Sequence, residues 1–206
     1  MKYIGAGSNS QSLGYTMTLW IQLAKFACFE TDHFVLRPFS YEDGEDFYTI
    51  VSHAENLAFI FPVLKDKEIA VTKIVEKWIR SPLGKWALTE KKSGRMIGAL
   101  CFEKLDEHLQ TAELSYFLKK DHWGQGLMTE AVRNLVYLSF YKVGLKELVI
   151  ITHEENVASQ RVARKAGFVQ INHYRGSDRY SHKVRNYLKF SLKRADFNLE
   201  MYEENQ

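Results

Sequence analysis

The sequence has 206 residues, of which 46% are hydrophobic and 14% aromatic, and its formal net charge is +3. The apolar content is too high and the charge too low for a disordered chain, and the length suits one globular domain. The two cysteines, Cys28 and Cys101, form no C-x-x-C pair, which argues against a disulfide scaffold and for a reducing compartment.

No stretch is apolar over the roughly 20 residues that a membrane-spanning helix needs. The nearest candidate, Met17 to Cys28, is short and contains Gln22 and Lys25. Only Lys2 precedes it, where a signal peptide carries a basic cluster. We therefore predict a cytoplasmic protein without a membrane partner.

The chain begins with a polar segment and one short helix. Residues 1–16 show no apolar period and predict a tail. Trp20, Leu23, Ala24 and Ala27 then recur at helical spacing, which predicts a short amphipathic helix. Packing of this helix on its own domain is the simpler expectation, and dimerisation or docking of a partner is the alternative.

The predicted elements of the main domain follow the order β-α-α-β-β-β-α-β-α-β-β. The first strand is Phe34 to Pro38, and Ser40 with Asp43 three residues later is an N-cap signature for the first helix. A second helix follows Asp66 and ends at Ser81-Pro82, because proline cannot continue a helix.

The second half of the domain alternates between β-rich and helical stretches. Three successive β-rich stretches predict an antiparallel meander. A continuous apolar run at 148–151 predicts a strand that is buried on both faces. The predicted elements are strands at 85–91, 95–103, 111–118 and 148–151, helices at 126–141 and 156–167, and closing strands at 168–174 and 187–192.

The chain shows neither an internal repeat nor a second hydrophobic core separated by a linker, which predicts a single α/β domain. We assign residues 1–30 to an N-terminal arm, 31–195 to the main domain and 196–206 to a C-terminal tail.

Two segments carry most of the chemical information. In WGQGLMT, at 123–129, Gly124 and Gly126 let the backbone approach a ligand closely, and the free N–H groups of the following helix favour a phosphate. An ordinary loop is the alternative, and neither the P-loop pattern nor the dinucleotide fingerprint matches. In the second segment, Asn156 suits an N-cap and Ser159 follows on the first turn of the helix, which alone indicates only a capped helix.

Together, the two segments resemble the GNAT superfamily of acetyl-CoA-dependent N-acetyltransferases, and in particular the RimJ/RimL branch that acetylates ribosomal-protein N-termini. The resemblance extends from about residue 31 to 192. It is carried by FVLRPFSYED at 34–43, AELSYFL at 112–118, WGQGLMTEA at 123–131 and NVASQRVARKAGF at 156–168.

The resemblance implies an α/β (α+β) GNAT fold. Its sheet is central, twisted, mixed and mostly antiparallel, with about seven strands, and it splays between the fourth and fifth of them. Helices cover both faces. Acetyl-CoA is implied as the co-substrate, and no metal is expected, since the seven histidines lack the spacing of metal ligands.

The resemblance also implies roles for individual residues. Backbone groups of Tyr116, Phe117 and Leu118 would bond the pantetheine arm at the splay. Asn156 would bond it from the other side, and Lys165 would lie toward the phosphates. The pyrophosphate would be held by the turn of Trp123, Gly124, Gln125, Gly126, Leu127, Met128 and Thr129.

Three departures from the family pattern affect these roles. Trp123 stands where Gln or Arg is usual, and Met128 stands where Gly or Ala is usual. The tyrosine that many GNAT enzymes use to protonate the leaving thiolate is absent from the turn that carries Ser159. We therefore expect Ser159 to take that role.

Two carboxylates compete for the role of general base. Glu113 lies on the strand that enters the splay, and Asp178 lies near the place where the ribosomal-protein acetyltransferases carry a catalytic carboxylate. Glu113 is alternatively a solvated strand residue, and Asp178 alternatively pairs with Arg175 or Arg179. A third alternative is that neither is the base.

Other signals are weaker. Asp178 is the only acid between Arg161 and Arg194, and the basic residues there suit coenzyme A phosphates better than RNA, since no RNA-binding aromatic motif accompanies them. Phe59, Phe61 and Trp78 are candidates for an acceptor pocket or for core packing. Cys101 fits a small core residue.

The combined expectation is an enzyme that transfers acetyl from acetyl-CoA to a primary amine by direct attack in a ternary complex. The amine is a protein N-terminus, such as that of a ribosomal protein, or a small molecule. Sequence-specific binding to nucleic acid is not expected, and a homodimer is allowed. The alternative is a catalytically silent protein that binds coenzyme A or associates with the ribosome.

Overall fold

The computed structural model describes residues 19–57, 59, 62–178 and 180–197. The tail expected at 1–16, Phe61, Arg179 and residues 198–206 of the expected C-terminal tail lie outside the described residues. Among those that are described, no helix is long and apolar enough to cross a membrane.

The order of elements matches the predicted order with short additions. The helices are α1 (Leu19–Lys25), α2 (Gly44–Val51), α3 (Ala54–Leu57), α4 (Lys67–Ile74), α5 (Leu127–Leu138) and α6 (Val157–Lys165). The strands are β1 (Phe29–Glu30), β2 (Phe34–Arg37), β3 (Lys85–Glu90), β4 (Met96–Asp106), β5 (Thr111–Leu118), β6 (Glu147–His153), β7 (Val169–Ser177) and β8 (Val184–Lys193).

All eight strands form one sheet in the order β1-β2-β3-β4-β5-β6-β8-β7. Every neighbouring pair is antiparallel except β5 and β6, which are parallel. The mixed, mostly antiparallel sheet is therefore confirmed. The strand beyond the expected seven is β1, whose two residues pair with β2.

Helices cover both faces of the sheet, as expected, because successive side chains of a strand point to opposite faces. On β4, Leu100 and Phe102 belong to the core under α1, α5 and α6. Ala99 and Cys101 belong to the core under α2, α3 and α4. The sheet is thus the middle of three layers.

The predicted helix starts are present. Asp43 Oδ2 accepts from the Ser40 amide at 2.9 Å, and a 3₁₀ turn at Tyr41–Asp43 leads into α2. Both guanidinium ends of Arg37 bond the same carboxylate, at 2.8 and 2.6 Å, which lets Asp43 lie buried. At α4, Asp66 accepts from the Ile69 amide at 3.0 Å.

Two local predictions were wrong. In α1 the buried residues are Leu19 and Leu23, whereas Trp20 is 44% exposed and its indole N–H donates to Glu107. The polar end of the indole accounts for this, since it needs a partner at the surface. Strand β6 is not buried on both faces, because its residues alternate between buried and half-buried.

The parallel pair is the feature that positions the site. β5 and β6 pair through only three residues each, from Thr111 opposite Glu147 to Glu113 opposite Val149. Beyond that point β5 continues to Leu118 and β6 to His153 without pairing to each other. The two strands therefore diverge, at the fourth and fifth strands of the predicted order.

Candidate active site

A cavity of about 690 Å³ lies where β5 and β6 diverge. It is lined by residues of both faces of β5, including Glu113 and Leu114, and of both faces of β6, including Thr152 and His153. Since neighbouring residues of a strand face opposite ways, a cavity that touches both sets passes through the sheet. It therefore has two sides, and groups on opposite faces of the sheet meet in it.

The side of the cavity next to α6, termed the α6 side, contains Tyr116, Asn156 and Ser159. Asn156 caps the helix, because its Oδ1 accepts from the Ser159 amide at 3.1 Å. The Tyr116 hydroxyl lies 2.9 Å from Ser159 Oγ and donates to the Ser159 carbonyl at 3.2 Å. Burial raises the pKa of Tyr116, so the phenol stays protonated.

The side chain of Tyr116 was not anticipated, since only its backbone was expected at the site. The signal was present in the strand alternation. Tyr116 shares a face with Leu114 and Leu118, which pack in the core under α5 and α6. The pairing with Ser159, 43 residues away, followed from no local pattern.

The backbone of β5 presents alternate residues to the gap. The Lys119 amide donates to the Ile97 carbonyl of the β4 segment at 2.8 Å, and in an antiparallel pair every second residue bonds in that direction. The backbone N–H and C=O groups of Tyr116 and Leu118 therefore point away from β4, toward the gap. The Phe117 carbonyl lies instead against Gly98 of β4, so the backbone role expected for Phe117 gains no support from this geometry.

The glycine turn before α5 has the conformation that glycine permits. Gly124 and Gly126 have φ of +76° and +81°, and a Cβ at either would meet nothing within 4 Å, so backbone conformation and not space requires glycine. The first helical bond runs from the Glu130 amide to the Gly126 carbonyl. The backbone amides of Leu127, Met128 and Thr129 come before this bond, so they have no acceptor within the helix and are available as donors to a ligand.

Side chains hold this turn against the end of β5. The Trp123 indole donates to the Leu118 carbonyl at 2.7 Å, and the side-chain Nε2 of Gln125 donates to the Asp121 carbonyl at 3.1 Å. Leu127 and Met128 are buried in the core. Met128 is thus compatible with a binding turn, because its side chain packs inward while its amide stays at the helix start.

Lys165 lies apart from the cavity, in the last turn of α6. Its carbonyl accepts from Arg133 Nε at 3.1 Å and from Nη2 at 2.8 Å, which joins α6 to α5. The role expected for Lys165 toward phosphates stays a prediction.

The opposite side of the cavity, termed the hairpin side, is covered by the β7–β8 hairpin and contains Glu113 and Asp178. Glu113 is not a solvated strand residue, since its side chain is 19% exposed and accepts from Lys104 Nζ at 2.8 Å. Tyr174 of the hairpin lines the same cavity as Glu113, and burial, then the charge of Glu113, raise the pKa of Tyr174.

Asp178 is held by the turn of the hairpin. Its Oδ1 accepts from the Ser181 amide at 2.6 Å and from the Tyr180 amide at 3.2 Å. The Ser181 amide first, then the Ser181 hydroxyl and the Tyr180 amide, lower the pKa of Asp178 to about 2. Among the described residues its ion-pair partner is His153 and not Arg175, with His153 Nε2 3.4 Å from Oδ2.

His153 was also missed by the sequence interpretation, which treated the histidines only as metal ligands. Its ring belongs to a row of four on the hairpin side. The ring centroids of Phe59 and His153 are 5.6 Å apart, those of His153 and Tyr187 4.7 Å, and those of Tyr187 and Tyr174 5.7 Å. His153 Nδ1 is enclosed without a hydrogen-bond partner among the described residues.

The remaining aromatic candidates divide between pocket and core. Phe59 is exposed and lines the cavity. Trp78 also borders it but is only 3% exposed, and its indole N–H lies 3.1 Å from Cys101 Sγ. Burial raises the pKa of the Cys101 thiol to about 12, so this cysteine is a core residue and not a nucleophile.

The cavity thus brings Tyr116, Asn156 and Ser159 together with Glu113 and Asp178, across the plane of the sheet. The glycine turn lies outside the cavity lining, at the start of α5. An open gap between parallel strands, with hydroxyl groups on one side and carboxylates on the other, suits a reaction between two ligands that enter from opposite faces.

The sequence profile of the acetyltransferase (GNAT) domain matches residues 33–169, well over half of the chain. The protein therefore belongs to the GNAT acetyltransferase family and is an acetyl-transferring enzyme. The resemblance of its motifs to this family is confirmed.

Individual relatives agree with this assignment. YoaA of Bacillus subtilis, an uncharacterized N-acetyltransferase, is 24% identical over 152 residues, 69% of the chain and 83% of YoaA. The ribosomal-protein-serine acetyltransferase of Escherichia coli is 31% identical over 78 residues, 38% of the chain and 44% of that protein. The fold is shared with RimL, the ribosomal L7/L12 alpha-N-protein acetyltransferase, solved in complex with coenzyme A, at a TM-score of 0.66 and 16% identity over 79% of the chain and 95% of RimL.

Proposed function

We propose that this protein transfers the acetyl group of acetyl-CoA to a primary amine, by direct attack within a ternary complex. The observation that carries the proposal is the cavity that passes through the sheet between β5 and β6. A thioester held from the α6 side meets an amine that enters from the hairpin side. Family membership and the coenzyme A complex of RimL support the choice of coenzyme.

The coenzyme would be held mainly by backbone groups. The free amides of the turn from Gly124 to Thr129 suit the pyrophosphate, since a helix N-terminus favours an anion. The gap-facing groups of Tyr116 would bond the pantetheine. Because Asn156 Oδ1 caps α6, its Nδ2 is the group left to donate to a pantetheine carbonyl.

The leaving thiolate needs a proton, and we assign its supply to Ser159. The amine nitrogen bonds the acetyl carbon, the carbon–sulfur bond breaks, and the sulfur takes the Ser159 proton. The Tyr116 hydroxyl, 2.9 Å from Ser159 Oγ, then donates toward the serine oxygen. A gap-facing amide of β5 would polarise the acetyl carbonyl oxygen.

The attacking amine must be neutral, and an α-amino group, with a pKa of about 8, loses its proton far more readily than a lysine at about 10.4. Asp178 is a weak base, because its pKa is about 2. Glu113 is therefore the carboxylate that takes the proton, directly or through a water molecule.

The names of two relatives support a choice of acceptor class. RimL and the Escherichia coli relative act on ribosomal proteins by their names, and both support a protein N-terminus as the first acceptor to test. A small-molecule amine fits the same chemistry.

Calorimetric titration with acetyl-CoA, with ATP as a control, tests the coenzyme half of the proposal. We expect micromolar binding of acetyl-CoA and none of ATP. Mass spectrometry of a panel of N-terminal peptides and small amines after incubation then tests transfer. Binding without transfer to any amine would favour a catalytically silent coenzyme A-binding protein, and absence of binding would overturn the proposal.

A further inference from the structure

We propose that Asp178 Oδ2, with the side chains of His153 and Tyr187, binds the acceptor as a protonated alkylammonium ion. Asp178 then anchors the charge of the amine and does not remove its proton. This inference rests on the proposed function for the identity of the ligand as the acceptor, and it adds a defined binding site on the hairpin side.

The two oxygens of Asp178 differ in their environment. Oδ1 is bonded by the Ser181 and Tyr180 amides at 2.6 and 3.2 Å. Oδ2 faces the Tyr187 hydroxyl at 3.5 Å and His153 Nε2 at 3.4 Å, both longer than a bond from a charged donor. A carboxylate oxygen accepts shorter bonds from a charged donor, near 2.8 Å. Oδ2 therefore has unused capacity at the wall of the cavity.

The other carboxylates of the cavity already have basic partners within the described residues. Glu103 lies 3.5 Å from Lys77 Nζ, and Glu113 lies 2.8 Å from Lys104 Nζ. Glu155 lies 3.5 Å from Arg185 Nη1. Among these residues the ion-pair partner of Asp178 is a histidine and not a lysine or arginine. A cationic ligand would supply a second partner for its Oδ2.

The ring of His153 forms part of the same site. It lies between the rings of Phe59 and Tyr187, with centroid distances of 5.6 and 4.7 Å. Aromatic rings beside a carboxylate are the surroundings that stabilise an ammonium ion.

Chemistry separates this anchoring role from that of a base. A carboxylate bonded by two backbone amides stays ionised throughout the physiological pH range. Its conjugate acid is much more acidic than an ammonium group, so transfer of a proton from the ammonium group to this carboxylate is unfavourable. Asp178 can therefore hold the ammonium ion on arrival, while the proton leaves to a different group.

The direct test uses n-butylammonium chloride as the probe, with 1-butanol as its uncharged counterpart, on the full chain saturated with coenzyme A. The NMR signal of the His153 ring is assigned by its loss in His153→Gln. We expect saturable shifts with n-butylammonium and none with 1-butanol. Equal binding of both probes would overturn the proposal.

Matched variants locate the site. Asp178→Asn should weaken n-butylammonium binding at least about tenfold, and Tyr187→Leu about threefold, as expected for the loss of an ion pair and of one ring. Asp32→Asn removes one charge from an exposed position between β1 and β2 and should leave the affinity unchanged. Unchanged affinity in both Asp178→Asn and Tyr187→Leu would refute the site.

Kinetics distinguish an anchor from a base once an acceptor is found. Asp178→Asn should raise the acceptor KM about tenfold with kcat within about threefold of wild type, because uniform binding is lost. A large fall in kcat with a shifted acid limb of the pH profile would overturn the anchoring role. If the protein binds acetyl-CoA but not n-butylammonium, this inference alone is refuted. If it binds n-butylammonium but not acetyl-CoA, the proposed function alone is refuted.

Discussion

In the glycine turn and on the α6 side of the cavity, the groups proposed to bind the coenzyme are backbone amides and the capping side chain of Asn156, drawn from short local segments. The hairpin side instead presents Glu113, His153, Asp178 and Tyr187, which come from three strands and a turn. Local backbone conformation sets the proposed coenzyme groups, whereas the hairpin side, like the Tyr116–Ser159 pair, is built by side chains that meet only in the folded chain.

This difference corresponds to the two proposed ligands. The proposed coenzyme would be bound largely through backbone amides, and that mode tolerates side-chain changes such as Trp123 and Met128. The proposed acceptor would contact side chains on the hairpin side, which are free to change without disturbing the turn or the cap. Substitutions on the two sides should therefore affect different measurable quantities.

The largest effect is expected from Glu113→Gln on the hairpin side. Loss of the proposed base should lower kcat about 100-fold while the acetyl-CoA dissociation constant stays within about twofold. Steady-state kinetics with an accepted amine and calorimetry provide the two measurements. Glu155→Gln, which changes another carboxylate of the same cavity, is the control and should leave kcat nearly unaltered. If the affinity of Glu113→Gln for acetyl-CoA fell together with kcat, the hairpin side and the α6 side would not act separately.

On the α6 side, Gly126→Ala should weaken acetyl-CoA binding about tenfold, because a left-handed backbone costs an L-residue about 1 to 2 kcal/mol and displaces the amides. Gly94→Ala is a matched control, since Gly94 has φ of +69° and equally open surroundings but lies in the β3–β4 turn. Both variants should lose similar stability in urea unfolding, and only Gly126→Ala should lose affinity by calorimetry. Equal affinities would mean that the turn does not bind the coenzyme.

A smaller effect is expected from Tyr116→Phe, which removes the hydroxyl beside Ser159. We expect kcat to fall about five- to tenfold with little change in either KM, since one neutral hydrogen bond is lost. Ser159→Ala should lower kcat further, and the double variant should be no slower than Ser159→Ala alone, because both act through the same proton. Additive losses in the double variant would place Tyr116 in a separate role.

The smallest effect concerns the dependence of stability on pH. The pKa of Asp178 is lowered to about 2 in the folded protein, so its ionised form stabilises the fold above the ordinary aspartate pKa. That contribution is lost as the pH falls from about 4 toward 2. Asp178→Asn should therefore be less stable than wild type at pH 6 in urea unfolding, and the difference should shrink at pH 3.5. A constant difference would contradict the assigned bonds.

The features that the sequence determined by itself are local ones. Ser40 with Asp43 and Asn156 with Ser159 are caps between residues three apart, and the glycine turn depends on the backbone freedom of Gly126. The alternation of residues along the strands and the spacing along the helices predicted the order of the elements, and the resemblance to the GNAT family implied helices on both faces of the sheet. The caps, the turn and these periodicities depend on short-range sterics and hydrogen bonding, which act within a segment regardless of its position in the fold.

Tertiary structure alone decided which side chains meet. Tyr116 reaches Ser159 across 43 residues, and His153 faces Asp178 only because the β7–β8 hairpin folds over the end of β6. The outward position of Trp20 likewise depends on Glu107, which is 87 residues away. Such pairs follow from strand register, from the divergence of β5 and β6, and from the path of the hairpin. No periodicity within a single segment contains that information.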